Sequence, residues 1–233
     1  MIYITGDTHG DFRRIELFCE RFQPKRKDIM IILGDAGFNF HGGFRDRVKK
    51  ERISQLPITV FSIHGNHEKR PATMSSYTIR EWHGGQVYVE EEFPNLLFAM
   101  DGEVYDFEGT KTMAIGGAYS IDKEYRLAMN YGWWSDEQPN EVIKQRVEAK
   151  LDSLNWKIDV VLSHTTPFKY EPVETFLGGF DQSKIDQSTE IWLGKIEDRL
   201  DYKHWYCGHF HTNKHVDRLT ILFEDICEFS PKP

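Results

Sequence analysis

Short apolar segments recur along this chain, and five of them stop abruptly at a cluster of polar side chains. The first is Ile2-Tyr3-Ile4, which runs into Gly6-Asp7-Thr8-His9-Gly10-Asp11. The other four end at Gly34-Asp35, Gly65-Asn66-His67-Glu68, Ser163-His164 and Gly208-His209-Phe210-His211. Continuous apolar runs of this length are typical of strands buried on both faces of a sheet. Ligands of open α/β sheets bind beyond the carboxyl ends of the strands, so the five clusters are predicted to meet at one edge.

Amphipathic helices separate the first three of these strands. Residues 11–23 and residues 44–56 carry apolar side chains at helical spacing, and a proline follows each segment. Buried strands are predicted at 28–33 and 58–63. Strands that alternate with helices through short connections predict a parallel βαβαβ unit with right-handed crossovers.

The middle of the chain has a different pattern. Closely spaced runs between Gly, Asp and Asn turns predict a meander of antiparallel strands at 86–92, 96–100, 103–107 and 111–115. The aromatic segment from Tyr119 to Trp134 follows, and it is compatible with either core packing or stacking on a nucleobase.

The last third of the chain returns to alternating helices and strands. Helices are predicted at 141–154 and 188–200, buried strands at 158–162 and 204–207, and two more short strands at the end. No linker composition or internal repeat divides the sequence. We therefore predict an α/β fold with a single domain over residues 1–233.

Composition excludes several classes of protein. The content of 39% hydrophobic and 28% charged residues is that of an ordinary globular protein. No apolar window approaches the roughly 18–20 residues of a membrane-spanning helix, so no membrane association is expected. The net charge of −8 offers no general attraction for nucleic acid, and the basic runs 21–27 and 45–52 are interpreted as solvated faces. Three cysteines without tight spacing (Cys19, Cys207 and Cys227) favour a reducing cytosol, and hence a cytoplasmic protein, over a disulfide framework.

The polar clusters together form a set of nitrogen and oxygen ligands without a thiolate. Such a set suits Mn, Fe, Zn or Co better than a structural zinc or a calcium site, and manganese is the favoured candidate. Seven candidate ligands are too many for one ion, so two divalent ions that share a bridging carboxylate are predicted. The resulting positive charge favours an anion, and two ions about 3.5–4 Å apart suit a phosphoryl group under in-line attack. The candidate ligands are Asp7, His9, Asp35, Asn66, His164, His209 and His211.

As a set, these motifs resemble the calcineurin-like metallophosphoesterase superfamily, in the family's order and over nearly the whole chain. The resemblance implies two packed mixed β-sheets flanked by helices, and hydrolysis of phosphate monoesters or diesters by a metal-bridging hydroxide. It implies that one metal is held by Asp7, His9 and His211, the other by Asn66, His164 and His209, and that Asp35 bridges them. His67 resembles the family's catalytic histidine, a general acid or transition-state stabiliser at the leaving oxygen.

Two acidic residues beside the motifs have two interpretations. Asp11 and Glu68 either orient the ligating imidazoles or cap the N-termini of helices. Cys207 precedes the last motif on its strand and is interpreted as core packing rather than as a ligand.

One departure from the family pattern bears on the substrate. Protein Ser/Thr phosphatases of the superfamily extend the second motif to Gly-Asp-x-x-Asp-Arg-Gly, and its arginine binds the substrate phosphate. This chain has Phe38 and Asn39 at those two positions, which argues against a dedicated protein phosphatase. Arg45, Arg70 and the segment Lys123-Glu124-Tyr125-Arg126 are candidate replacements, each with the alternative of an ordinary surface charge.

Three functions follow from these observations. The leading hypothesis is a hydrolase of small phosphate esters, with monoesters and diesters both open. The first alternative is a nucleic-acid or nucleotide-processing phosphoesterase, which the lack of a basic stripe disfavours. The second is an inactive scaffold that binds a protein partner, which the intact ligand set disfavours.

Overall fold

Two mixed β-sheets pack face to face in this protein, whose computed structural model describes residues 1–176 and 184–230. The strands of the described residues are β1 (Ile2–Thr5), β2 (Ile29–Ile32), β3 (Thr59–Ser62), β4 (Tyr77–Trp82), β5 (Gly85–Glu90), β6 (Leu96–Ala99), β7 (Val104–Phe107), β8 (Thr110–Ile115), β9 (Val160–Ser163), β10 (His204–Cys207), β11 (Lys214–Val216), β12 (Leu219–Ile221) and β13 (Ile226–Glu228). The helices are α1 (Arg13–Phe22), α2 (Phe44–Ser54), α3 (Lys123–Ala128), α4 (Glu141–Ser153) and α5 (Ser188–Glu197).

The first sheet has the strand order β13-β1-β2-β3-β6-β5-β4, and the second has the order β11-β12-β10-β9-β8-β7. Strands β1, β2 and β3 are parallel, with Ile4 beside Ile31 and Ile31 beside Phe61. Strands β9 and β10 are parallel in the other sheet, with Leu162 beside Tyr206. Each sheet therefore has a row of carboxyl strand ends at one edge.

Alternate side chains along the strands face different layers. Ile4 and Ile31 of the first sheet share one apolar core with Leu162 of the second. The outer face of the first sheet packs against α1 and α2, and that of the second packs against α4 and α5. The prediction of two packed mixed sheets flanked by helices is confirmed. Cys207 is buried in the core beneath α4 and α5, as interpreted from the sequence.

The antiparallel meander predicted for the middle of the chain is wrong in its topology. Strands β5 and β6 belong to the first sheet, whereas β7 and β8 belong to the second. Strand β6 lies parallel to β3, and β8 lies parallel to β9, so the chain changes sheets between Ala99 and Val104. Hairpin signals in a sequence report local pairing, and they do not report which sheet a hairpin joins.

Three elements lack a sequence prediction: β4, α3 and one of the short strands β11, β12 and β13, of which only two are predicted. Strand β4 is at the edge of the first sheet and most of its side chains are exposed, so it has no apolar pattern. Helix α3 lies inside the aromatic segment, and its Tyr125 and Leu127 are also exposed. None of the described helices is long and apolar enough to cross a membrane. A single domain over 1–233 stays a prediction.

Candidate metal centre

The five polar clusters meet at the carboxyl edge of both sheets. Loops after β1, β2 and β3 carry ligands from the first sheet, and loops after β9 and β10 carry ligands from the second. Nε2 of His9 lies 2.9 Å from Nε2 of His211, although 202 residues separate them in the chain. Oδ1 of Asn66 lies 2.8 Å from Nε2 of His164 and 3.1 Å from Nδ1 of His209. The structure thus brings together all seven candidate ligands.

Asp7 is buried and has one oxygen that nothing in the described part of the protein satisfies. Its Oδ1 accepts a hydrogen bond from the backbone N–H of His209 at 2.9 Å. Its Oδ2 has no hydrogen-bond partner and lies 3.4 Å from Nε2 of His211 and 3.8 Å from Nε2 of His9. Burial acts to raise the pKa of Asp7, but His164, His211 and the other nearby donors outweigh it and hold the pKa below its usual value. An ionised, buried and unpartnered oxygen among imidazoles fits a cation.

Asp35 occupies the middle of the cluster. Its Oδ1 accepts a hydrogen bond from the backbone N–H of His67 at 2.8 Å. Its Oδ2 lies 3.8 Å from Nδ1 of His9 and 3.7 Å from Nε2 of His164. One carboxylate oxygen therefore faces an imidazole from each of the two predicted ligand sets, which is the position required of a bridging ligand.

The other polar groups are oriented as ligands. The backbone carbonyl of Leu33 accepts a hydrogen bond from Nδ1 of His164 at 2.7 Å, so in the neutral ring the lone pair lies on Nε2, the atom that faces the other candidate ligands. The side-chain nitrogen of Asn66 donates to Ser120 Oγ at 2.8 Å, so its oxygen faces the site. Burial lowers the pKa of His209 to about 3, so this imidazole is neutral, as ligation requires. The donor set therefore fits divalent metal ions.

Glycines make room for these ligands. A Cβ at Gly65 would lie 2.0 Å from Oδ1 of Asp35, and a Cβ at Gly208 would lie 2.3 Å from Oδ1 of Asp7. Each glycine thus lies directly against a ligand from another strand. The ligand loops also contain strained backbone, since His9, Asp35, His209 and His211 have φ angles of 48°, 48°, 68° and 49°. Left-handed backbone costs L-residues roughly 1–2 kcal/mol and is concentrated at functional sites.

His67 lies beside the ligands and is partly buried. Its Nε2 lies 3.8 Å from Oδ1 of Asp122, and burial lowers the pKa of this imidazole. Oδ1 of Asp122 is itself buried without a hydrogen-bond partner among the described residues, and Nη1 of Arg126 lies 4.0 Å from it. Arg126 is buried and donates to the carbonyl of Gly132. Arg126 is absent from the described linings of the two cavities beside the ligands, although its charge acts to lower the pKa of His67.

The two other candidate phosphate-binding arginines are Arg70 and Arg45. Arg70 is buried, pairs with Asp101 and donates to the carbonyl of Asp136 at 2.7 Å. Arg45 is exposed near the start of α2. Neither residue lines the two cavities described below.

The two supporting acidic residues have different environments. Asp11 is exposed and accepts hydrogen bonds from the side chain and backbone N–H of Arg13, at the start of α1, so its contacts are those of a helix-end residue. Glu68 is buried beneath the site and accepts a hydrogen bond from the backbone N–H of Gly65 at 3.3 Å. Burial, with a further effect of Asp35, raises the pKa of Glu68 to about 8.

Two cavities adjoin the ligands, and they identify residues that the sequence analysis missed. The smaller one, about 290 Å³, is lined by His9, Asp35, His67, His41 and Lys49. Lys49 lies in the basic run that we interpreted as a solvated face, and only its position against the ligand loops distinguishes it. The larger cavity, about 580 Å³, extends from the ligands past Tyr119 and Asp122 to Glu190 at the start of α5.

Two packed mixed sheets with this cleft of carboxylates and imidazoles define an α/β protein with a site for divalent metal ions. Residues 1–213 match the family model described as calcineurin-like phosphoesterase. The chain belongs to this family, whose members are metal-dependent phosphoesterases, and the resemblance inferred from its motifs is confirmed.

The solved structures to which this chain is similar are distant from it in sequence. The chain is similar to TT1561 of Thermus thermophilus, with 14% identity, coverage of 95% of this chain and 87% of that chain, and a TM-score of 0.51. This likeness shows the fold alone. A second solved structure has 12% identity, covers 95% of this chain and 88% of its own, and has a TM-score of 0.49. No curated protein matches the sequence significantly.

Proposed function

We propose that this protein hydrolyses phosphate esters with two divalent metal ions, manganese first among them. The observation that carries the proposal is the unpartnered Oδ2 of Asp7, buried among donor groups from five loops. One ion would be held by Asp7, His9 and His211, the other by Asn66, His164 and His209, and Asp35 would contact both. When bound, such ions supply a water acidic enough to attack phosphorus near neutral pH and the positive charge that binds the phosphoryl oxygens.

Three residues that are not metal ligands have proposed roles in binding or cleaving the ester. His67 lines both cavities and can give a proton, or a hydrogen bond, to the leaving oxygen. Asp122 faces Nε2 of His67 and holds the ring in place. Lys49, in the smaller cavity, attracts the anionic phosphate towards the ligands.

The experiment that tests this function compares p-nitrophenyl phosphate with bis-p-nitrophenyl phosphate, using the full chain before and after removal of metal by EDTA. We expect each chain to bind about two metal ions, and we expect ester turnover to depend on these ions. Turnover of neither ester by a fully loaded protein would contradict the proposal and favour the inactive scaffold. Tight binding of single-stranded nucleic acid with a steep salt dependence would favour the nucleic-acid-processing alternative.

A cytosolic location is a separate proposal. It is supported by the three cysteines, all of which are free thiols in the structure. A reducing compartment keeps such thiols unpaired. Fractionation of cells that express the full chain, with a thiol count on the recovered protein, tests it.

A further inference from the structure

The larger cavity differs in chemistry from the metal site that it adjoins. It begins at His67 and His209 and reaches Glu190, in the first turn of α5. Its described lining contains no Lys or Arg, whereas it includes the acidic residues Asp122, Glu171, Asp186 and Glu190. A ligand arm that is itself anionic is therefore disfavoured along this path.

Much of the wall of this cavity is apolar. The rings of Phe176 and Phe210 stack with centroids 6.0 Å apart and an interplanar angle of 13°. Tyr119 and Ile121 add further apolar surface to the same cavity. A volume of about 580 Å³ lies within the range of pockets that hold small organic molecules. The cavity can therefore enclose an organic group attached to a phosphate at the metal site.

Glu190 is a buried polar residue of this cavity, and one of its carboxylate oxygens is incompletely satisfied. The residue is 4% exposed, and the hydroxyl of Thr165, which follows the candidate ligand His164, interacts with its carboxyl as a hydrogen-bond donor. No donor of the described residues lies within hydrogen-bond distance of its Oε2. The neighbouring carboxylates differ in this respect. Glu171 accepts from the side chain of Gln187 at 3.1 Å, and Asp186 accepts from the backbone N–H of Ser188 at 2.9 Å. A buried oxygen without a donor costs free energy that a bound donor would recover.

We propose that this cavity binds the organic arm of the ester, and that Glu190 accepts a hydrogen bond from a hydroxyl or ammonium group on that arm. The proposal rests on the proposed function for its placement of the phosphate, and it adds the chemistry of the group attached to that phosphate. That arm is apolar along its length, carries a donor at its end and bears no negative charge. A polyphosphate chain or a nucleic-acid backbone does not meet these requirements.

The test uses phosphonates, which cannot be hydrolysed, so that binding is measured apart from activity. Each phosphonate carries a phenyl or biphenyl arm that ends in a methyl, hydroxymethyl, aminomethyl or carboxylate group, and calorimetry on the Mn-loaded chain gives its affinity. At one of the two lengths, we expect a donor-bearing arm to bind about tenfold more tightly than the methyl arm. The carboxylate arm should bind most weakly. Equal affinities of methyl and donor arms at both lengths, or no binding at all, would overturn the proposal.

Variants of Glu190 test whether this residue accepts the hydrogen bond from the arm. Glu190→Leu should remove the preference for both donors, whereas Glu190→Gln should remove only the preference for the ammonium, because the amide oxygen still accepts from a hydroxyl. Glu174→Gln, an exposed change outside the cavity, is the control and should retain the wild-type ratios. If the affinity of the donor-bearing arms relative to the methyl arm is unchanged in both Glu190 variants, Glu190 is not the acceptor.

The two proposals fail in different ways. If the protein hydrolyses simple esters but binds all the phosphonate arms equally, the proposed function is supported and the proposed binding site for the arm is wrong. Arm preferences without hydrolysis of any ester would leave the site standing and overturn the function.

Discussion

Oδ1 of Asp122 lies 3.8 Å from Nε2 of His67, and it is buried without a hydrogen-bond partner among the described residues. These residues are far apart in sequence and belong to different parts of the fold, since His67 follows β3 and Asp122 immediately precedes α3. The charge of Asp122 acts to raise the pKa of His67, against the larger lowering effect of burial. The histidine beside the metal ligands therefore has a partner that no sequence motif marks.

Replacing Asp122 with Asn should slow the step that involves the leaving group. We expect kcat to fall about tenfold for an alkyl or phenyl phosphate ester and much less for a p-nitrophenyl ester, since a good leaving group needs little proton donation. KM should change little. Steady-state kinetics with a series of leaving groups measures this, and Glu124→Gln, an exposed change on α3, is the control. An equal fall across the series would indicate a merely structural role.

His67 and Asp35 should separate catalysis from metal binding. His67→Ala should keep both ions and lose most of the activity, about 10²–10⁴-fold, because only the leaving-group step is affected. Asp35→Ala should lose the ions themselves, since its carboxylate faces both ligand sets. Metal analysis of each purified variant, combined with its turnover rate, distinguishes the two effects. Normal turnover by His67→Ala would refute its assigned role.

Lys49→Ala should weaken the binding of an anionic ester. Its ammonium group lies against Gly10, next to the ligand His9, so its removal lowers the positive charge in the smaller cavity. We expect KM for p-nitrophenyl phosphate to rise several-fold, and the effect to shrink at high ionic strength. Arg45→Ala, on the same helix but outside both cavities, provides the comparison and should leave KM close to that of the wild type. The reverse ranking of these variants would restore Arg45 as the phosphate ligand.

Gly65→Ala should damage the metal site although it removes no ligand. The added methyl group would lie 2.0 Å from Oδ1 and 2.2 Å from the backbone nitrogen of Asp35, so the loop of Asp35 must move. We expect a loss of metal content at equilibrium, measured after dialysis against a fixed concentration of free Mn²⁺. Gly43→Ala is the steric control, because a Cβ there would meet nothing within 4 Å. Full metal content in Gly65→Ala would contradict this prediction and show that the loop of Asp35 can move without loss of metal binding.

Glu190 should reduce the stability of the metal-free protein as pH rises. Burial raises the pKa of its carboxyl from 4.5 to about 7, so between these values the unfolded chain binds fewer protons than the folded chain. The free energy of unfolding therefore falls across this range, by up to about 3 kcal/mol. Glu190→Gln cannot ionise and should gain stability over the wild type between pH 5 and pH 8 in urea titrations. Glu174→Gln, which removes an exposed carboxylate paired with Lys214, should show no such gain.

The fold and the ligand positions could be predicted because each rests on a local signal. An apolar run that ends in Gly-Asp or Gly-Asn-His reports both a buried strand and a polar group at its carboxyl end. Lys49 and Glu190 give no such signal, since one lies in an ordinary basic run and the other in an ordinary helix. Their roles depend on which distant loops pack against them. Arg70 is a candidate phosphate ligand from its sequence, but in the structure it forms an ion pair with Asp101. The two residues are 31 positions apart, and no local sequence pattern indicates that they pair.

The ligands come from both sheets, and this division sets an order of assembly. Asp7, Asp35 and Asn66 follow strands of the first sheet, whereas His164 and His209 follow strands of the second. Neither sheet alone offers a complete set for two ions, so the site forms only after the sheets have docked. Ions bound by this set would cross-link the two sheets, and they would stabilise the folded protein because the unfolded chain holds no such site.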